Sequence, residues 1–324
     1  MGDEKRLTVR EVFGLSPLPL RLREAKLALT GDPETPRSRF DHTSLKMFRP
    51  ALALPLWLGR KARGRRVPVY NLFNYLQPPP EEGWSVRVTR VRDFLGTGLT
   101  YDSHNGTDFA VPLGTVVVAP AAGVVRRVSS EFNRGGLKVF LDHGEGLVTS
   151  ANHLARSLVK VGDRVPRGAP LALSGYSGLD GLSTFPFGAP HVHFNVWFNG
   201  EYVDPFAPEG AVSLWRTGDN WPTPAPEGAA PERAVPPSGL DPAAVAEALA
   251  GCVHAETRAA LAAIEDPEAR AVSTLVMANY YPTRFAARVQ FYASPFARSP
   301  RLDLPFRARD FDGIMFPHRP ELRP

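Results

Sequence analysis

The alternation of hydrophobic and polar positions predicts strands in the middle of the chain. Residues 84–88 alternate strictly, with Trp84, Val86 and Val88 separated by polar residues, as a half-buried strand requires. Short runs rich in β-branched residues follow, and glycines separate them. Close strands with glycine-rich turns favour an antiparallel β domain. The further predicted strands are 116–118, 124–125, 137–141, 147–149 and 192–198.

After this strand-rich stretch the chain changes to helical signals. Asp241-Pro242 and Asp266-Pro267 each combine an N-capping side chain with proline at the first helical position. From Tyr281 onward the tail is aromatic, basic and rich in proline, and we expect it to pack over another surface rather than fold alone. The alanine-rich runs after the two caps predict three short helices, at 242–251, 255–265 and 267–280.

The two kinds of pattern together predict a mainly β fold, with an antiparallel β-sheet or barrel-like domain and a C-terminal α-helical extension. Prolines cluster between the patterned stretches, where they indicate turns and a linker. The predicted divisions are an N-terminal extension at 1–83, a β domain at 84–210, a Pro/Ala-rich linker at 211–238, and a helical C-terminal region with a Pro/aromatic tail at 239–324.

The composition is that of an ordinary globular protein and changes this picture little. The chain has 324 residues, of which 43% are hydrophobic and 22% charged, with a net charge of +5. Basic residues concentrate at 60–66. We interpret this run as a solvated loop; the alternative is a patch that attracts an anionic polymer or membrane surface. Because no nucleic-acid-binding motif accompanies it, we expect no nucleic-acid partner.

Cysteine usage and the apolar segments restrict the function classes further. Cys252 is the one cysteine, so a disulfide within the chain and a cysteine-based zinc site are both excluded. The first 30 residues are charged from the start and lack the apolar core of a secretory signal. The apolar run at 51–58 is too short to span a membrane. We therefore find no visible signal peptide or transmembrane segment.

Five of the eight histidines fall between residues 101 and 198, and their spacing suggests a metal site. His104 and Asp108 lie four residues apart. His191 and His193 would share one face of a strand, because side chains alternate with period two. A catalytic zinc site uses three nitrogen or oxygen ligands and an open fourth position. Each pair alone is a weak signal, but the combination with an isolated His153 between them is specific.

Residues 102–206 resemble the lysostaphin-type, or LytM-type, zinc metalloendopeptidases of the duplicated hybrid motif superfamily. The resemblance starts from the His-x-x-x-Asp motif and ends at His-x-His-Phe, and it covers about a third of the chain. The matching segments are His104…Asp108, residues 114–120, Gly123-Val124-Val125, residues 139–144, His153-Leu154, residues 159–168, Gly175-Tyr176-Ser177-Gly178 and His191-Val192-His193-Phe194.

This resemblance implies roles for individual residues. His104, Asp108 and His193 match the family's zinc ligands, which hold one zinc ion per chain, and His153 and His191 match its unliganded catalytic histidines. The implied function is a zinc metalloendopeptidase that hydrolyses peptide bonds, with peptidoglycan cross-links or stems as substrate, by zinc-activated water. The family implies a cell-envelope or extracellular location. Nothing in the sequence specifies the oligomeric state.

Several positions depart from the family pattern, and two other function classes stay open. The segment from Gly178 to His191 is longer than expected, Asn195 stands where an acidic residue is frequent, and Asn152 stands where a small or aromatic residue is usual. We interpret His143 as a structural residue at a turn. The alternatives are a non-catalytic LytM-like binding or regulatory module, and a zinc hydrolase of a non-wall amide or ester.

Overall fold

A computed structural model describes residues 6–61, 63–208, 210–228, 235–319 and 322. The fold is mainly β, with one large and mostly antiparallel sheet, and this confirms the predicted fold class. The strands are β1 (Arg66–Asn71), β2 (Thr107–Ala110), β3 (Val116–Val118), β4 (Gly123–Glu131), β5 (Gly136–Asp142), β6 (Leu147–Ser157), β7 (Arg164–Val165), β8 (Pro170–Ser174), β9 (His191–Phe198), β10 (Glu201–Tyr202) and β11 (Gly313–Met315).

The main path through the sheet runs β11-β1-β2-β9-β6-β5-β4-β7, and within the described residues it does not close into a barrel. Three further strands extend it, because β8 pairs with both β6 and β3, and β10 pairs with β9. The pair β1–β11 is parallel, whereas the other strand pairs are antiparallel. The strand that carries His191 and His193, β9, lies near the middle of this path.

One face of the sheet packs on a core that the C-terminal tail helps to build. Phe109 and Phe194 from the central strands pack near Trp215, with ring centroids 6.3 and 6.0 Å from it. The C-terminal tail contributes Phe306 and Ile314, each 1% exposed. Burial of such large side chains is worth roughly 1.5–3 kcal/mol each, so the tail is an integral part of the packing.

The three predicted C-terminal helices are confirmed, and they cover the opposite side of the sheet. Asp241 and Asp266 are the N-caps, and their side chains accept hydrogen bonds from the amides of Ala243 and Ala269. A second hydrophobic cluster joins the last helix to the sheet. The helices are α5 (Pro242–Ala250), α6 (Ala255–Ala262) and α7 (Pro267–Tyr280).

The remaining helices belong to the N-terminal region and to the long segment before β9. Phe13 and Trp57 from the N-terminal region pack with Phe185 of that segment, at ring-centroid distances of 5.7 and 4.9 Å. Arg21 ties the second helix to β4 by donating hydrogen bonds to the carbonyl oxygen and the hydroxyl of Ser130. These helices are α1 (Val9–Phe13), α2 (Leu18–Thr30), α3 (Pro50–Trp57) and α4 (Leu179–Thr184).

The prediction of a strand at 84–88 is wrong. Only an isolated bridge between Arg39 and Ser85 forms there. The buried carboxylate of Asp102, which is 2% exposed, accepts hydrogen bonds from the Ser85 hydroxyl and from the amides of Thr89 and Arg90. Side-chain hydrogen bonds to the backbone compete with strand pairing, and the alternation of the sequence does not reveal this competitor.

The predicted linker and the basic run lie partly outside the described residues. Residues 229–234 of the linker, Ala62 and the side chain of Arg63 are among those not described. Within the described part of the linker segment, Leu214 and Trp215 are fully buried. Lys61 and Arg65 of the basic run form ion pairs with two aspartates of the tail, at 2.7 and 2.9 Å. No helix in the described ranges is both long and apolar enough to cross a membrane.

Candidate metal centre and catalytic histidines

The predicted metal ligands come together because β2 and β9 pair in a specific register. Asp108 lies directly opposite His193, and Ala110 lies opposite His191. Directly opposed residues in an antiparallel pair point to the same face, so Asp108 and both histidines share it. His104 precedes β2 and completes the group, so His104, Asp108 and His193 form a cluster that could hold a metal ion.

The three donor atoms form a compact triangle. The distance between His104 Nε2 and Asp108 Oδ1 is 3.1 Å, that between His104 Nε2 and His193 Nδ1 is 3.1 Å, and that between His193 Nδ1 and Asp108 Oδ1 is 2.7 Å. Tetrahedral zinc with bonds of about 2.0–2.1 Å separates its donors by roughly 3.3 Å. Two imidazoles and one carboxylate at this spacing therefore fit a zinc ion after small outward movements.

Neighbouring groups orient each of the three side chains. His104 Nδ1 donates to the carbonyl oxygen of Leu72 at 2.6 Å, which leaves Nε2 facing the triangle. The side-chain amide of Asn71 donates to Asp108 Oδ2 at 2.7 Å, while His193 Nε2 lies 3.3 Å from Asn105 Oδ1. Such outer contacts fix tautomers and ring orientation at metal sites. Asn71 and Leu72 come from the β1 region, far from the motifs in sequence.

The electrostatics of the cluster keep the carboxylate charged and His193 neutral. Burial of Asp108 raises its pKa, but the charges of His104 and His191 and the hydrogen bonds from His104 and His193 outweigh it and hold the pKa well below its usual range. Burial lowers the pKa of His193 to about 4 although Asp108 opposes the shift. A neutral imidazole and an ionised carboxylate are the forms that bind metals.

His153 reaches the same site through a β-bulge. Leu137 pairs with Leu154 and Val139 with Ala151, so two residues of β6, Asn152 and His153, stand opposite one residue of β5. The φ angle of His153 is 58°, a left-handed conformation that is rare for residues other than glycine. A bulge redirects a side chain and is common beside active sites. Here it brings the His153 ring to 4.7 Å from the His191 ring, centroid to centroid.

The two predicted catalytic histidines are held in the same tautomer. His191 Nδ1 donates to the carbonyl oxygen of Ala189 at 2.7 Å, and His153 Nδ1 donates to that of Ser177 at 2.8 Å. In both rings Nε2 is left as the atom that can exchange a proton. His191 Nε2 lies 3.6 Å from Asp108 Oδ1. Burial, with His191 and His193 nearby, lowers the pKa of His153 well below its usual value, so this ring is neutral near pH 7.

Two positions that depart from the family pattern lie in contact with each other. The Asn152 side-chain amide donates to Asn195 Oδ1 at 2.6 Å, and the Tyr280 hydroxyl donates to the same oxygen at 3.2 Å. The side-chain amide of Asn195 in turn donates to Asn105 Oδ1 at 3.0 Å, and that oxygen lies 3.3 Å from His193 Nε2. The paired substitution therefore builds a neutral hydrogen-bond network behind His193, anchored by a residue of the C-terminal helical region.

The other sequence features near the site have distinct places. His143 is 1% exposed and hydrogen-bonds the Ala122 carbonyl oxygen and the Thr149 hydroxyl, as expected for a structural residue. The long segment before β9 places Asp180 3.9 Å from His153 Nε2. Sequence reasoning missed Asn71, Asp180 and the buried Arg134; the extra length of the segment was the available signal for Asp180.

Comparison with known proteins agrees with this geometry. The model for peptidase family M23 matches residues 102–205. An uncharacterized metalloprotease of Haemophilus influenzae is 42% identical over 102 residues, which are 32% of this chain and 20% of that protein. The peptidoglycan DD-endopeptidase ShyA of Vibrio cholerae is 37% identical over 101 residues, which are 31% of this chain and 22% of ShyA. Residues 102–205 are therefore similar to peptidase family M23.

The chain is also similar to a solved zinc-containing peptidase, and it matches only part of the length of its relatives. The crystal structure of a zinc-containing peptidase from Vibrio cholerae is 29% identical, covers 44% of this chain and 36% of that one, and has a TM-score of 0.33. The chain spans 20% and 22% of the lengths of the two relatives above. The match of residues 102–205 to the family model confirms the resemblance that the histidine motifs predicted.

Proposed function

We propose that this chain is a zinc-dependent endopeptidase that hydrolyses peptide bonds in peptidoglycan cross-links or stems. The observation that carries the proposal is the triangle of His104 Nε2, Asp108 Oδ1 and His193 Nδ1, with its edges of 2.7–3.1 Å. His191 and His153 stand beside it, and their Nε2 atoms are left to exchange protons.

His104, Asp108 and His193 would hold one zinc ion. When bound, zinc supplies Lewis-acid chemistry, which makes water nucleophilic near neutral pH and polarises a carbonyl group. The donor set fits this ion, because two imidazoles and one carboxylate leave a fourth position open. Leu72, Asn71 and Asn105 hold the three ligands in their ligating orientation.

The catalytic histidines divide proton handling between two Nε2 atoms. His153 is neutral because burial lowers its pKa, so its Nε2 can accept a proton from water. His191 lies on the metal side of the pair, with Nε2 3.6 Å from Asp108 Oδ1, and a protonated Nε2 there donates a hydrogen bond to a developing oxyanion. Positioned imidazoles of this kind contribute about 10²–10⁴-fold to a rate.

The substrate class rests on the relatives. ShyA is a peptidoglycan DD-endopeptidase by name, and residues 102–205, which match the family model, include all five site residues. Peptide cross-links of the cell wall are therefore the substrate that we propose, and the cell envelope is the compartment in which the chain would act.

The test separates metal binding from turnover by using single variants. The His191→Ala variant should keep its zinc and lose at least about 100-fold in kcat on a cross-linked muropeptide dimer, whereas His104→Ala should lose zinc and activity together. His42→Ala removes an exposed imidazole and serves as the matched control. Products are measured by liquid chromatography and mass spectrometry.

Either of two results would contradict the proposal. Full turnover by His191→Ala would remove that residue from the mechanism. A wild-type chain that binds zinc but cleaves no muropeptide would favour the non-catalytic binding module or the non-wall hydrolase.

A further inference from the structure

Arg134 is a buried cation in the turn between β4 and β5. It is 9% exposed, and within the described ranges it forms no ion pair with a carboxylate. Its Nη1 donates to the carbonyl oxygen of Asn133 at 2.9 Å, while its Nε has no hydrogen-bond partner in the described structure. A guanidinium group stays protonated in proteins. Asp180 lines the same small cavity and acts on Arg134 through its charge, but it forms no direct ion pair with the guanidinium group in the described structure.

Two aromatic rings hold the guanidinium group in place. Trp84 and Tyr281 each have a ring centroid 5.2 Å from it. The Tyr281 hydroxyl donates to Asn133 Oδ1 at 3.0 Å, which fixes the ring beside the turn. Arginine stacked on aromatic faces is pre-organised, so little conformational entropy is lost when it binds a ligand.

The position of Arg134 connects it to the proposed catalytic residues. It lines a small cavity of about 20 Å³ together with His153 and His193, and it also lines a neighbouring cleft of about 630 Å³. The amide of His153 donates to the carbonyl oxygen of Gly135, the next residue, at 2.8 Å. A peptide that lies in the cleft with its scissile bond at the histidines would therefore pass Arg134.

Other cations near this position are already neutralised. Arg288, which also lines the cleft, pairs with Glu201. Lys138 pairs with Glu131 at 2.7 Å. An unpaired buried charge is costly, and the guanidinium fork matches a carboxylate in a bidentate geometry. Arg134 is thus the group in this cleft that is suited to an anionic part of a ligand.

We propose that Arg134 forms a subsite that binds a free carboxylate of the peptide substrate beside the catalytic histidines. The inference rests on the proposed function, because it names the substrate group that the same site recognises. The carboxylate supplies the direct ion pair that Arg134 lacks in the described structure, so substrates with a free carboxylate bind more tightly than amidated ones. Arg134 is a specificity residue in this role and takes no part in proton transfer.

The experiment measures binding rather than turnover, so that it separates the two proposals. Isothermal titration calorimetry compares a muropeptide monomer that has a free C-terminal carboxylate with the same monomer as its C-terminal carboxamide. The wild-type, zinc-loaded chain should bind the carboxylate form about tenfold or more tightly. Arg134→Gln should remove this preference, Arg134→Lys should retain part of it, and the cleft control Arg288→Gln should keep it.

Three results would contradict the Arg134 subsite. Equal affinity of the wild type for the two forms, binding of neither form, or an unchanged preference in Arg134→Gln would overturn the subsite. If Arg134→Gln does not fold, as judged by circular dichroism, the wild-type comparison decides alone. A clear preference in a chain that cleaves no muropeptide would leave the subsite standing and remove only the proposed endopeptidase activity.

Discussion

Replacement of His143 by glutamine should flatten the acid side of the pH–stability profile. The imidazole is 1% exposed, and its neutral form satisfies both ring nitrogens. Nδ1 donates to the Ala122 carbonyl oxygen at 2.9 Å, and Nε2 lies 2.8 Å from the Thr149 hydroxyl. Burial lowers the pKa of His143 from 6.5 to about 4, although the hydrogen bond to Ala122 opposes the shift.

The size and sign of the effect follow from the difference between these pKa values. Between pH 6.5 and about 4 the unfolded chain binds a proton at this residue that the folded chain does not bind, so the free energy of unfolding falls as the pH falls. At about 1.4 kcal/mol for each tenfold change in proton affinity, the contribution is about 3 kcal/mol. It is fully present above pH 6.5 and is lost as the pH falls to about 4.

Urea denaturation at pH 7.5 and at pH 4, with chelator present in all samples, measures the free energy of unfolding directly. His143→Gln should be less stable than the wild type at pH 7.5, because it loses a fitted hydrogen-bonding ring. The difference should shrink by about 3 kcal/mol at pH 4. His42→Gln, at an exposed position, is the control. The reasoning would be refuted if the free energies of unfolding of the wild type and His143→Gln differed by the same amount at both pH values.

Three further predictions concern the metal centre and the buried charges. Asn71→Ala removes the amide that donates to Asp108 at 2.7 Å and should weaken zinc affinity about 10–100-fold in a chelator competition; unchanged affinity would contradict the role of this contact. Lys138→Met removes the 2.7 Å partner of Glu131 and leaves its ion pair with Arg127 at 2.6 Å, so it should cost about 2 kcal/mol in urea denaturation; unchanged stability would contradict the contribution of this contact. Removal of zinc with a chelator should lower the Tm in differential scanning fluorimetry, because ligands that bind only the folded state stabilise it, and an unchanged Tm would contradict this linkage.

The histidine motifs could be predicted because short-range geometry determines them. His191 and His193 share a face of β9 through the two-residue period of a strand, and the alanine-rich helices follow from the caps at Asp241 and Asp266. Local chemistry also explains the error at 84–88, where the carboxylate of Asp102 captures backbone amides. A pattern of apolar residues carries no information about such a competitor.

Long-range pairing is the part that the sequence does not reveal. The parallel pair of β1 and β11 joins residues that are far apart in the sequence, and β1 brings Asn71 to Asp108. The bulge at His153 depends on the register between β5 and β6, which no local motif specifies. Arg134 is also unremarkable in sequence, because its burial depends on Trp84 and Tyr281. The division of the chain into the four predicted segments stays a prediction.

The most direct test of the account is the metal content of the purified chain. Inductively coupled plasma mass spectrometry should find about one zinc ion per wild-type chain after zinc is supplied and the excess zinc is removed. His193→Ala should contain no zinc, and the control His42→Ala should contain as much as the wild type. No zinc in the wild type, or zinc retained in His193→Ala, would contradict the assignment of His104, Asp108 and His193 as the metal site.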